Sequence, residues 1–186
     1  MSVSHIASPY AKAILNLSLE QNALEAALSD MQLISALCHS SREFKMMLKS
    51  PVVKSDKKRI IIKKIFEQTV SKLTLSFLYI IIRKKREYYI PEIADEFLEL
   101  YKEQMGILTT IMKTASPASE EIKMKMVTLM KNYTQKQIEL VEEVKEDLIG
   151  GFVLQWEDKQ YDASILSQIN KMKREMAELN LYQKRF

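Results

Sequence analysis

Apolar residues recur three or four positions apart through most of the first hundred residues. Leu24, Ala27, Leu28, Met31, Ile34 and Cys38 form one series; Ile62, Ile65, Phe66, Thr69 and Leu73 form a second; Ile90, Ile93, Phe97, Leu100 and Tyr101 form a third. This spacing turns one face of a helix toward a core and the other toward water. The segments between the stripes carry punctuation. Pro51 in "KSPVVKS" (49–55) ends one helix, Ser55 or Asp56 is placed to cap the next, and Pro91 opens a later one where a missing N–H costs little. About six helices fit before Gly106, joined by loops short enough to make neighbours antiparallel.

Beyond Gly106 the period shortens to two. "ILTTIMKT" (107–114) is short and β-branched, "IELVEEV" (138–144) alternates, and "FVLQW" (152–156) places Phe152, Leu154 and Trp156 on one face. These read as three strands, with a fourth in "KQY" (159–161). Between the first two, a helix opened by Ser116 and Pro117 is expected to bury Ile122, Met126, Leu129, Met130 and Tyr133. A last helix follows "YDAS", where Asp162 or Ser164 caps it. Its apolar positions Ile165, Ile169, Met172, Met176 and Leu179 run 4-3-4-3, a seam suited either to the sheet or to a partner helix. The predicted fold is therefore mainly α. An N-terminal antiparallel bundle of about six helices (residues 1–105) precedes a small α/β domain of βαββα type (residues 106–186).

Glycine is scarce, with three in 186 residues, yet Gly150 and Gly151 are adjacent. A double glycine lets the backbone take positive φ and pass close to another element. A phosphate cradle would need GxGxxG spacing or a following Lys-Ser or Lys-Thr pair, and neither is present. The single cysteine, Cys38, rules out an internal disulfide framework, and its place on an apolar stripe reads as a buried, inert thiol. Neither His5 nor His39 has a second His or Cys at i+3 or i+4. Glu142, Glu143, Glu146 and Asp147 have no apolar setting to split their pKa values, so they read as a solvated strand edge and turn. The sequence thus offers no catalytic residue, metal ligand set or cofactor motif.

Charge divides the chain unevenly. Residues 1–105 carry 16 Lys and Arg against 12 Asp and Glu, whereas residues 106–186 carry 12 against 12. Most of the excess lies in "KSDKKRIIIKK" (54–64) and "RKKR" (83–86), and clustered cations of this kind could track a phosphate backbone. A helical nucleic-acid-binding protein is accordingly the alternative reading. Against it, Ile60, Ile61, Ile62 and Ile65 place a core face beside the charges, leaving Lys54, Lys57, Lys58, Arg59, Lys63 and Lys64 as its solvated rim. No aromatic is interleaved for base stacking. The most apolar run, "LSFLYIII" (75–82), is far short of the roughly 18 residues a membrane span needs and reads as a buried helix. The N-terminus lacks the pattern of a secretory or transit peptide.

Four stretches carry a family resemblance. "PYAKAI" (9–14), "LKSPVVKSDKK" (48–58), "FLYIIIRKKREYYIPEI" (77–93) and "LIGGFVLQWEDKQYDASI" (148–165) resemble, in this order, motifs of the delta subunit of F-type ATP synthases, the bacterial relative of the mitochondrial oligomycin-sensitivity-conferring protein. The resemblance covers essentially the whole chain, and its most specific motif is the last. Ser76, Lys84, Lys85, Glu157 and Ala163 depart from the family pattern, Glu157 and Ala163 at turn glycines.

That resemblance implies a non-catalytic stator subunit without a cofactor, present in one copy per complex. Its N-terminal bundle would hold alpha subunits of the catalytic head, and its C-terminal domain would grip b subunits of the peripheral stalk. The link would keep the head from turning with the rotor during proton-driven ATP synthesis. The protein would sit peripherally at the cytoplasmic face of the bacterial inner membrane, with no span of its own and no nucleic-acid partner. The family's head-facing groove runs along the first and fifth helices, which makes Tyr10, Ala13, Ile14, Leu17, Phe77, Ile80 and Ile81 candidates. Ile165, Ile169, Met172 and Met176 are candidates for the stalk, while Gly150, Gly151 and Asp162 are expected to be structural.

Overall fold

Serine side chains set where several helices begin. In the computed structural model, which describes residues 4–183 and their side chains from 6 to 176, Ser41 and Ser71 each accept the backbone N–H three residues ahead, from Phe44 and Thr74, at 3.2 Å. Each satisfies one of the donors a helix start leaves open. The first unit, Met1–Met105, runs α1 (Ser4–Glu20), α2 (Leu24–Ser40), α3 (Arg42–Lys49), α4 (Ser55–Phe66), α5 (Lys72–Arg83), a 3-10 turn (Glu87–Tyr89) and α6 (Ile90–Met105). Helices α1, α2, α5 and α6 pack together, α4 lies on α5, and α3 lies on α2 and the 3-10 turn. Their shared core holds Ala11, Ile14, Met31, Ile34, Leu78, Ile81, Ile93 and Phe97, all almost fully buried. Each large aliphatic or aromatic side chain so placed contributes about 1.5–3 kcal/mol of transfer free energy.

The predicted stripe from Ile62 to Leu73 does not belong to one helix. α4 stops at Phe66 and α5 starts at Lys72, so only Ile62 and Phe66 reach the core from α4, while Ile65 and Ile60 are exposed. Neither Ser55 nor Asp56 caps α4; Lys54 holds that position without a side-chain hydrogen bond. Lys58 is the larger correction. It is 3% exposed rather than on a solvated rim, because Ile62 and Phe66 follow it at i+4 and i+8 on the same inward stripe. Its Nζ donates to the Leu48 carbonyl at 2.8 Å and to Glu87 at 2.9 Å, tying α4 to the end of α3 and to the 3-10 turn.

The second unit, Gly106–Phe186, runs β1 (Ile107–Thr114), α7 (Glu120–Thr134), β2 (Gln137–Val144), a 3-10 turn (Glu146–Leu148), β3 (Phe152–Trp156), β4 (Lys159–Asp162) and α8 (Ile165–Gln183). The sheet order is β2-β1-β3-β4. β1 and β2 are parallel, as a helical crossover requires, and the other pairs are antiparallel. Leu108, Met112, Leu154 and Trp156 on one sheet face close over Met130 of α7, with Met126, Ile138, Leu140 and Phe152 at the margin. α7 begins at Glu120 behind its cap Ser119, not at Ser116 and Pro117. Its predicted buried stripe is only partly buried: Met130 is covered, but Ile122, Leu129 and Tyr133 are 44, 53 and 66% exposed. Only the strip of α7 centred on Met126 and Met130 packs on the sheet face, and the flanking residues of the stripe stay in water.

Candidate partner-binding faces

On α1 the buried positions Ala7, Ala11, Ile14 and Ser18 follow helical spacing, and the next strip around the helix carries Tyr10, Ala13 and Leu17. Tyr10 is half-buried, Ala13 is exposed and Leu17 is 46% exposed. On α5, which touches α1, Phe77 is half-buried and Ile80 is 45% exposed. Ile14 and Ile81 differ from the expectation: at 2 and 0% exposed they build the unit's own core and present no surface to a partner. Ile6 and Leu73, neither of them among the expected partner-facing residues, are half-buried on these same strips. The signal was there, since each precedes a candidate, Tyr10 or Phe77, by four residues.

In the second unit the base of α8 is held firmly. Gly151 takes φ +78°, and a Cβ there would run into the backbone of Ala163 and Ser164; at Gly150 it would lie 2.6 Å from Ile165 Cδ1. The Gly150 carbonyl accepts the Ile165 N–H at 2.9 Å. The double glycine therefore lets the approach to β3 press against the start of α8. Asp162 and Ser164 both serve that start: Ser164 Oγ accepts the Ser167 N–H at 3.1 Å, while the Asp162 carboxylate accepts the Ser164 N–H and the Ser167 hydroxyl at 2.9 and 2.8 Å. The Ser164 N–H above all holds the Asp162 carboxyl below its usual range.

From this base the helix leaves its sheet. Ile165 is 42% exposed and Ile169 half-buried, but Met172 and Met176 are 61 and 65% exposed. Their seam is thus unpartnered within the unit; the side chain of Leu179 lies outside the described residues.

Several other polar groups are engaged in contacts within their own unit. Burial foremost, then the Asp95 charge, pushes the Cys38 thiol up to about 12, where it is inert near neutrality. His39 Nε2 lies 3.2 Å from Asp95, whose other oxygen accepts the Ser35 hydroxyl at 2.6 Å. Glu142 accepts the Ala118 N–H and pairs with Lys123 at 2.9 Å, and both interactions, the Ala118 bond first, pull its carboxyl below the ordinary range. Glu142 thereby ties the start of α7 to β2. Among the described residues no three His, Cys, Asp or Glu groups gather as a metal site. No described helix is long and apolar enough to cross a membrane. Within the basic run, Lys58 is buried and Arg59 stacks on the Tyr79 ring, so nothing there favours a nucleic acid.

Comparison with known proteins agrees with this architecture. Residues 6–176 match the family model described as ATP synthase delta (OSCP) subunit. The chain is 32% identical to the ATP synthase subunit delta of Cytophaga hutchinsonii, covering 96% of this chain and 97% of that one. It is likewise 32% identical to that of Salinibacter ruber, covering 97 and 95%. Its fold is similar to a chain in the Toxoplasma gondii mitochondrial ATP synthase hexamer, with a TM-score of 0.72 at 17% identity over 92% of this chain and 97% of that one. The chain belongs to the ATP synthase delta (OSCP) subunit family.

Proposed function

We propose that this protein is a non-catalytic stator link. The α1–α5 face of its first unit holds alpha subunits of the catalytic head, and the second unit, through α8, grips b subunits of the peripheral stalk. One copy serves each complex, at the cytoplasmic face of the bacterial inner membrane and without a membrane span of its own. Torque from proton-driven rotation would otherwise turn the head, and the link opposes it. This duty needs apolar contact area and slow dissociation rather than a reactive group. The observation that carries the reading is the pair of helix-borne apolar strips, Tyr10–Ala13–Leu17 with Phe77–Ile80 in one unit and Met172–Met176 in the other, left uncovered by the units that present them.

Size-exclusion chromatography with the cognate catalytic head tests it. Co-elution is expected to survive high salt and nuclease, because the contact is apolar. Ala13→Glu places a charge in that contact and is expected to weaken head binding at least about tenfold, or ~1.4 kcal/mol. Ala13 is exposed, so circular dichroism should not change. Unaltered binding by the variant would remove α1 from the interface.

A further inference from the structure

Charge within the first unit is sorted by element. Residues 42–86, which hold α3, α4 and α5, carry fourteen Lys and Arg against three Asp and Glu, a net +11. Residues 1–41 and 87–105, with α1, α2 and α6, carry two against nine, a net −7. Solubility alone is served better by interspersed signs, and concentrated like charge repels itself in the folded state. Lys58 and Lys49 are already met across this division by Glu87 and Glu92, and the cationic surface that remains gains when something of opposite sign lies on it.

The cationic part also contains a recess. A cavity of about 210 Å³ opens between α4 and α5, lined by Ser55, Asp56, Arg59, Tyr79, Ile80 and Arg83 among others. Arg59 is oriented by its stacking on the Tyr79 ring, 4.8 Å from the centroid. Arg83 has no ion-pair or hydrogen-bond partner among the described residues, and Asp56 pairs with neither guanidinium, so the recess keeps a net charge of +1. Ile80, nearly half exposed, gives it an apolar wall. Two guanidiniums beside such a wall match a planar carboxylate on an otherwise apolar segment.

We propose that the α4–α5 face is a docking surface for an acidic, amphipathic segment of a partner protein. Its carboxylates meet Arg59 and Arg83, and an apolar side chain lies on Ile80. A carboxylate chain is favoured over a nucleic acid because Arg59 already covers a face of Tyr79 that a base would stack on. Ile80 is common to this face and to the head-binding strip, whereas Arg59, Arg83, Tyr79 and Asp56 belong to this one alone.

The test is fluorescence anisotropy with the full chain and a labelled amphipathic helical peptide of Leu, Ala and Glu. The same peptide with Gln for Glu, and a single-stranded oligonucleotide of equal charge, serve as rivals. The Glu peptide is expected to bind at least about tenfold more tightly than the Gln peptide. Arg59→Gln/Arg83→Gln should weaken it about tenfold, and Lys64→Gln/Lys72→Gln, an equal loss of charge outside the recess, less than about threefold. Arg83→Gln alone changes an exposed side chain, leaves the Arg59–Tyr79 stack in place and keeps the test decisive should the double variant unfold. Ala13→Glu should leave peptide binding unchanged, which separates this surface from the proposed head contact. Equal losses in the two double variants, or an oligonucleotide bound as tightly through the same arginines, would overturn the proposal.

Discussion

At the scale of single residues, Gly151 shows how far a rare residue type can be read. Two of three glycines side by side pointed to positive φ and close approach, and the structure has both: φ +78° and the Ala163–Ser164 backbone where a Cβ would sit. Gly151→Ala is expected to cost at least about 2 kcal/mol, adding the φ > 0 penalty for a non-glycine residue to displacement of the α8 start. Trp156, the only tryptophan and a member of the second unit's core, reports that unit's unfolding in urea. An unchanged midpoint would mean that the junction relaxes without strain. Glu157 is the converse case. It takes φ +48° in the two-residue turn between β3 and β4, where the family pattern has glycine. The sequence therefore showed the turn but not that a glutamate would bear its strain.

At the scale of elements, boundaries and depth were harder to read than existence. All four strands lie within a residue of their expected places: alternation located β2 and β3, and the short β-branched run located β1. Yet α4 and α5 were joined in one stripe, since Thr69 and Leu73 keep helical spacing across a break that hydrogen bonding, not periodicity, decides. Lys58 was misread for a related reason. Nothing local shows that its ammonium will find the Leu48 carbonyl ten residues back and Glu87 twenty-nine ahead. This buried pair gives a sharp prediction. Lys58→Met leaves Glu87 charged and buried without its partner, and should destabilise the bundle by about 3–5 kcal/mol, read by circular dichroism in urea. Lys58→Met/Glu87→Leu removes both charges and should recover most of that loss. If the double variant is no more stable than the single one, the ammonium's bond to the Leu48 carbonyl, not the ion pair, is what holds α3, α4 and the 3-10 turn together.

At the scale of the whole molecule, the sequence could not say which apolar side chains are left over after each core is built. Ile14 and Ile81 look no different in the sequence from Leu17 and Ile80, and only packing sends the first two inward. Those left over fall on two separate units, and that separation bears on function. A link that carries torque between two bodies must hold both at once, and two independent sites on one chain make the second attachment intramolecular once the first has formed. Residues 106–186 are therefore expected to co-elute with the b subunits and not with the head, while residues 1–105 do the reverse. Only the full chain should bring head and stalk into a single peak. Met172→Glu/Met176→Glu charges the exposed seam of α8 and should abolish the stalk arm while leaving the head arm and Trp156 fluorescence unchanged. Were both halves to bind only the head, α8 would have lost its proposed partner, and the resistance to rotation would have to be transmitted through the α1–α5 face alone.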